Sequence, residues 1–146
     1  MPASVAVSLV IGVVVFTLLA GLWLTWASGR RRAGVLGAVS PAAVGIEAFA
    51  PVATVVQFST EICARCPGVR RALTAALAPE RGVDFVQVDL THDIEKARDF
   101  RVLQTPTVLV LDPSGSEIAR FSGAVRPSDV TAEIENLKGG HHVHAH

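Results

Sequence analysis

Phe58-Ser59-Thr60-Glu61-Ile62-Cys63-Ala64-Arg65-Cys66-Pro67 joins an apolar, β-branched run, Val55-Val56-Gln57-Phe58, to an amphipathic helical pattern with Val69, Leu73, Ala76 and Leu77 on one face. The two thiols therefore stand where a strand hands over to a helix. The N-terminus of a helix carries about half a positive charge and several unpaired N–H groups, so a sulfur there is favoured as thiolate. Such a cysteine can titrate below the free-thiol value of about 8.5, most of all beside cations. Arg65 lies between the thiols, and Arg70 and Arg71 follow. Cys63 is expected to be the exposed nucleophile and Cys66, a turn deeper, the resolving thiol. The chemistry implied is thiol–disulfide exchange.

A single C-x-x-C also fits half of a zinc site, but these are the only two cysteines in the chain, so no second pair completes one. The same count excludes a framework of structural disulfides. Balanced charge, 13 basic against 13 acidic residues, gives no case for a nucleic-acid surface. No glycine pattern for a nucleotide appears, so the dithiol is expected to work without a cofactor.

The apolar residues concentrate at the front. Residues 3–27 contain no charged side chain, and at about 1.5 Å per residue they reach across a hydrocarbon core of about 30 Å. Trp23 and Trp26 close the stretch, where aromatic belts sit. A cleaved signal peptide fits less well: no Lys or Arg precedes the apolar run, which is too long, and no small-residue cleavage site follows it. The expectation is a single-pass transmembrane anchor in the cell membrane. Arg30-Arg31-Arg32 directly after it place the soluble part in the cytoplasm, with an extracytoplasmic domain as the alternative.

Residues 28–51, rich in Ala, Gly, Val and Pro, read as a juxtamembrane linker with one short element near Ile46–Phe49. Beyond it, patterning predicts strands at Ala53–Ser59, Val83–Asp89, Thr107–Leu111 and Glu117–Phe121. Helices are predicted at Ala64–Ala78, at Thr91–Phe100 with Thr91 as N-cap, and from Pro127, burying Val130, Ile134 and Leu137. Pro67 predicts a kink or a late start for the first of these. Asp112-Pro113-Ser114-Gly115 is a turn between paired strands. The order β-α-β-α-β-β-α describes an α/β domain over residues 52–138, a mixed sheet flanked by helices. A His-rich tail, 139–146, follows a Gly-Gly break. Its His141, His142, His144 and His146 are weak metal candidates, and with Cys63 and Cys66 they support an alternative reading as a metal-binding or metal-relay module.

This order, with C-x-x-C at the first strand-to-helix turn and Thr-Pro before the hairpin, resembles the thioredoxin family. Val-Val-Gln-Phe-Ser-Thr-Glu-Ile-Cys-Ala-Arg-Cys, Val-Gln-Val-Asp, Phe-Arg-Val-Leu-Gln-Thr-Pro-Thr and Phe-Ser-Gly-Ala carry the likeness. The resemblance implies a thioredoxin-like fold and a redox-active Cys63–Cys66 disulfide. It also implies a cis Pro106 beside that disulfide, with Thr105, Ile62 and Gly123 in a substrate groove. Partners would be protein disulfides and a reductase or membrane electron donor, the chain itself being a monomer. Two positions depart from the pattern: Gln57 replaces the family's buried acid, and Gln87 its lysine partner. With Arg65, these residues are expected to tune the thiols.

Overall fold

The computed structural model describes residues 3–27 and 36–141, with the side chains of 4, 5 and 7–23 in the first helix. That helix, α1, runs from Ala3 to Ala27. Phe16, Leu18, Leu22 and Trp23 are among its many exposed apolar side chains. Ser8 Oγ and Thr17 Oγ1 each donate back to a carbonyl of the same helix, at 2.9 Å, so the hydroxyls bond within the helix. Among the described residues no helix is long and apolar enough to cross a membrane. The unbroken run of described side chains, 7–23, covers about 25 Å at about 1.5 Å per residue. Arg30-Arg31-Arg32, on which the expected orientation rests, lie outside the described residues.

The domain is one four-stranded sheet in the order β2-β1-β3-β4. Strand β1 (Ala53–Ser59) runs parallel to β2 (Val83–Asp89) and antiparallel to β3 (Thr107–Leu111), which pairs antiparallel with β4 (Glu117–Ser122). All residues of β1 and β3 are buried, because both faces of these central strands are covered. Ala53, Val55, Val108, Val110, Ala119 and Phe121 face helices α2 (Cys66–Leu77) and α4 (Pro127–His141), which supply Leu73, Leu77, Val130 and Ile134. Val56, Phe58, Leu109 and Leu111 form the opposite core with Val88, Leu90 and Phe100. Helix α3 (Ile94–Asp99) lies beside this second core, and its Ala97 packs there.

Helix α2 starts at Cys66 with Pro67 in its first turn, where a missing N–H costs nothing, so the late start expected from Pro67 is found. Two other boundaries differ from expectation. Helix α3 starts at Ile94, not Thr91. Asp93 caps it by accepting from Lys96 N at 2.8 Å, while the Thr91 hydroxyl is bound to Asp89 and to the Glu61 amide. Helix α4 continues through Gly139 and Gly140 to His141, so the expected break is absent. Its last turns are fixed by Lys138, paired with Glu80 and Glu135.

The expected linker is packed onto the domain over its second half. No element forms at Ile46–Phe49. Instead a 3-10 helix spans Pro41–Val44, and Val44 is buried against the second core with Leu36, Val39, Ile46 and Phe49 around it. Val39 N donates to Gly115 O at 2.8 Å. Gly115 has φ +82°, and an added Cβ would run into the Val39 carbonyl and the Phe49 ring. Gly115→Ala should therefore cost about 2–3 kcal/mol, from the left-handed backbone plus overpacking. Urea unfolding measures the loss, and a change below 0.5 kcal/mol, roughly the level of an ordinary surface substitution, would show that the segment yields freely.

Candidate active site

β1 and β2 end, and β3 begins, at the same end of the sheet, because Phe58 pairs with both Val88 and Thr107. The loops after β1 and before β3 meet there through Thr60 Oγ1 and Thr105 Oγ1, 3.3 Å apart. Cys63 and Cys66 form a disulfide with Cα atoms 5.5 Å apart. Cys63 is half-buried in a turn whose amide donates to Thr60 O, whereas Cys66 is buried at 3% exposure on the first residue of α2. Cys63 is thus the more accessible of the two cysteines. No acid lies in the first turn of α2, so nothing opposes the helix dipole there.

The Thr105–Pro106 bond is cis. Pro106 is buried, Thr105 half-buried, and Pro106 O accepts from Gly123 N at 2.9 Å. Thr105, Pro106 and Gly123 are thereby one connected unit, joined to the cysteine loop through Thr60. Ile62, just before Cys63, is 94% exposed.

Behind the disulfide lies Gln57, fully buried. Its Nε2 donates to Cys66 O at 3.0 Å, while its Oε1 has no hydrogen-bond partner among the described residues. Gln87 sits opposite in register but is exposed, since β2 is an edge strand. It donates to Ser59 Oγ at 2.8 Å and accepts from Arg70 at 3.3 Å. The two glutamines are therefore not equivalent: one is a buried neighbour of the resolving cysteine, the other a rim residue that holds Arg70. Arg65 is exposed at the N-cap of α2 and makes no side-chain capping bond. Among the described residues no group of three His, Cys, Asp or Glu is placed to hold a metal ion. The His141 side chain and His142, His144 and His146 lie outside those residues.

Sequence reasoning missed a buried ion pair on β4. Glu117 and Arg120, each 6% exposed, meet through Arg120 Nε and Glu117 Oε1 at 2.9 Å and Arg120 Nη2 and Glu117 Oε2 at 3.0 Å. Arg120 also donates to Phe100 O at 3.0 Å and Arg101 O at 3.4 Å, at the root of the loop that carries Pro106. Glu117 Oε2 accepts from Leu36 N at 3.1 Å.

Residues 47–136, well over half of the chain, match the thioredoxin family model. The chain belongs to the thioredoxin family. It is similar to thioredoxin H2 of Arabidopsis thaliana, with 32% identity over 84 residues. That match spans 58% of this chain and 62% of the relative, so the chain covers less than two thirds of the relative's length. Among solved structures, Fasciola hepatica thioredoxin is 26% identical with a TM-score of 0.52, covering 60% of this chain and 83% of that one. Oxidised mitochondrial thioredoxin 3 of Saccharomyces cerevisiae, at 24% identity and a TM-score of 0.51, covers 58% and 78% and shows the shared fold. Cys63 and Cys66 are the C-x-x-C pair of this thioredoxin-family chain, joined as a disulfide.

Proposed function

We propose that this thioredoxin is tethered to the cell membrane and reduces disulfides of partner proteins through Cys63 and Cys66. The observation that carries the chemistry is the unequal burial of two cysteines sharing one disulfide. In the reduced form the Cys63 thiolate attacks a substrate disulfide, forming a mixed disulfide and releasing one substrate thiolate. Cys66, as thiolate, then attacks the Cys63 sulfur; the Cys63–Cys66 bond forms and the second substrate thiolate leaves. The substrate gains two electrons, and a reductase or membrane electron donor returns two to the protein. Thr105, Pro106, Ile62 and Gly123 form the surface on which the substrate lies, and Arg65 adds positive charge beside the thiols.

Tethering is supported by the sequence of α1, 25 residues without a charged side chain, and by the exposed apolar side chains described along it. The three arginines after it favour a cytoplasmic domain in a single-pass protein.

Cys66→Ser in the full chain should accumulate mixed disulfides at Cys63, seen as reducible adducts on gels, whereas Cys63→Ser should accumulate none. Adducts through Cys66 instead would reverse the assigned roles. For the tether, Ser114→Cys in a chain lacking the other two thiols gives one exposed cysteine on the hairpin turn. A membrane-impermeant thiol reagent should leave it unlabelled in intact cells, and label it once the cells are opened. Labelling without opening would place the domain outside.

A further inference from the structure

A strand at the rim of a sheet leaves half of its backbone groups unpaired, and β2 is such a strand. Which half follows from its ladder with β1. Ala53 N donates to Gly82 O at 3.3 Å, and Leu90 N donates to Ser59 O at 2.8 Å. Bonded residues alternate along a parallel pair, so the even-numbered residues of β2 are the ones that bond to β1. Val83, Phe85, Gln87 and Asp89 therefore turn their N–H and C=O groups outward. Among the described residues nothing bonds to those groups.

The devices that normally blunt an edge are missing. Strand β2 holds no Pro and no Lys, its register with β1 is unbroken by a bulge, and Phe85 and Val86 at its middle are only half-buried. The strand is also complementary to itself. In an antiparallel pair of copies centred on Val86, Val83 meets Asp89 and Phe85 meets Gln87 of the other copy, so every outward group is used. Asp84 then faces Val88, and no two acids stand opposite each other. Moving the centre to Phe85 or to Gln87 leaves Asp89 or Val83 without a partner in the strand. Intermediate registers set outward groups against inward ones. Arg81, exposed just before the strand, lies at the end where Asp89 of the other copy arrives.

We propose that a second copy of this chain pairs along β2, antiparallel about Val86, and joins two four-stranded sheets into one. The occupant is a second copy because a single strand, met by itself in the opposite direction, satisfies every outward group and brings Arg81 to Asp89 at both ends. Pairing also takes Phe85 and Val86 of each copy further out of water. The disulfide follows β1 at the end of the sheet where β2 finishes with Asp89. Antiparallel pairing therefore sends the two disulfides to opposite ends of the joined sheet. Each stays open to its own partner, and the inference does not depend on what that partner is.

The test uses the purified full chain in mild detergent, with Cys63 and Cys66 replaced by Ser so that an added thiol is the only one. Val86 would face its own counterpart as a non-hydrogen-bonded pair, with Cα atoms about 4.5 Å apart and within reach of a disulfide. Val86→Cys should therefore yield a disulfide-linked dimer on mild oxidation, the more so as protein concentration rises. Asp84→Cys, though more exposed, would lie about 13 Å along the strands from its counterpart and should crosslink at least about tenfold less. Gln87→Pro removes one outward N–H and none of the bonds to β1, so the chain keeps its own sheet. Added to Val86→Cys, it should lower the yield to the level of Asp84→Cys. Equal yields from Val86→Cys and Asp84→Cys would point to random collision or to contact through α1, and would overturn the inference. An undiminished yield with Gln87→Pro overturns it as well. So does a chain that stays monomeric by light scattering and forms no crosslink at any concentration, which would leave the edge to another protein or another segment of this one. If Gln87→Pro fails to fold, the contrast between the two single cysteines decides.

Discussion

Glu117→Ala lowers the unfolding free energy by about 3–5 kcal/mol, the range for removing one partner of a buried ion pair. The loss comes less from the missing attraction than from the arginine left behind. Arg120 would keep only Phe100 O and Arg101 O, with its charge uncompensated at 6% exposure. Leu36 N would lose its acceptor as well. Replacing both residues, Glu117→Leu with Arg120→Met, should cost less than the single change, because no charge is then stranded. Equilibrium urea unfolding of the full chain in mild detergent reads both variants. A double variant less stable than Glu117→Ala would mean that the bonds to the Pro106 loop outweigh the charge pair.

That pair also shows where reading the sequence stops. In a regular strand, residues three apart point to opposite faces, so Glu117 and Arg120 give no sign of meeting. A bulge brings them together: Leu111 pairs with Glu117 but Val110 with Ala119, leaving Ile118 as the extra residue. Strands β1, β2 and β3 were legible to the residue, because their apolar runs are bounded by turn residues and polar ends. The dithiol, the Thr-Pro and the glycine after β4 were legible as chemistry and as a family likeness. Helix α3 was misplaced because Thr91 and Asp93 are both good caps, and only tertiary contacts, to Asp89 and Glu61, occupy Thr91 elsewhere. Residues 36–50 resembled a linker because Leu36, Val39, Val44, Ile46 and Phe49 follow neither period 2 nor 3.6. They fit the surface of the sheet and not a regular element of their own.

The departure at Gln57 leads to the other large effect. Gln57→Asp should leave stability at pH 4 close to that of other polar core changes, then reduce it steadily as pH rises. A carboxylate at this fully buried position would be desolvated, so its folded pKa would lie above the unfolded value of about 3.9. Between those two values the unfolded chain has released the proton while the folded chain still holds it, so stability falls by about 1.4 kcal/mol per pH unit. A shift of about three units amounts to about 4 kcal/mol by pH 7. The carboxylate also loses the donation from Gln57 Nε2 to Cys66 O, and brings an oxygen toward that carbonyl. Gln87→Lys should restore only part of the loss, because position 87 is exposed and a charge there is screened by water. The kinetic consequence runs the other way. In the wild type Gln57 cannot take a proton, so Cys66 must give its own to solvent or substrate, and release of the mixed disulfide should accelerate from pH 7 to about 9 with the thiolate fraction. In Gln57→Asp a base stands behind Cys66, and the same profile should be flatter. Stopped-flow release of substrate from the preformed mixed disulfide measures both proteins. A flat wild-type profile would mean that another group deprotonates Cys66, and equal slopes would deny position 57 any part in proton transfer.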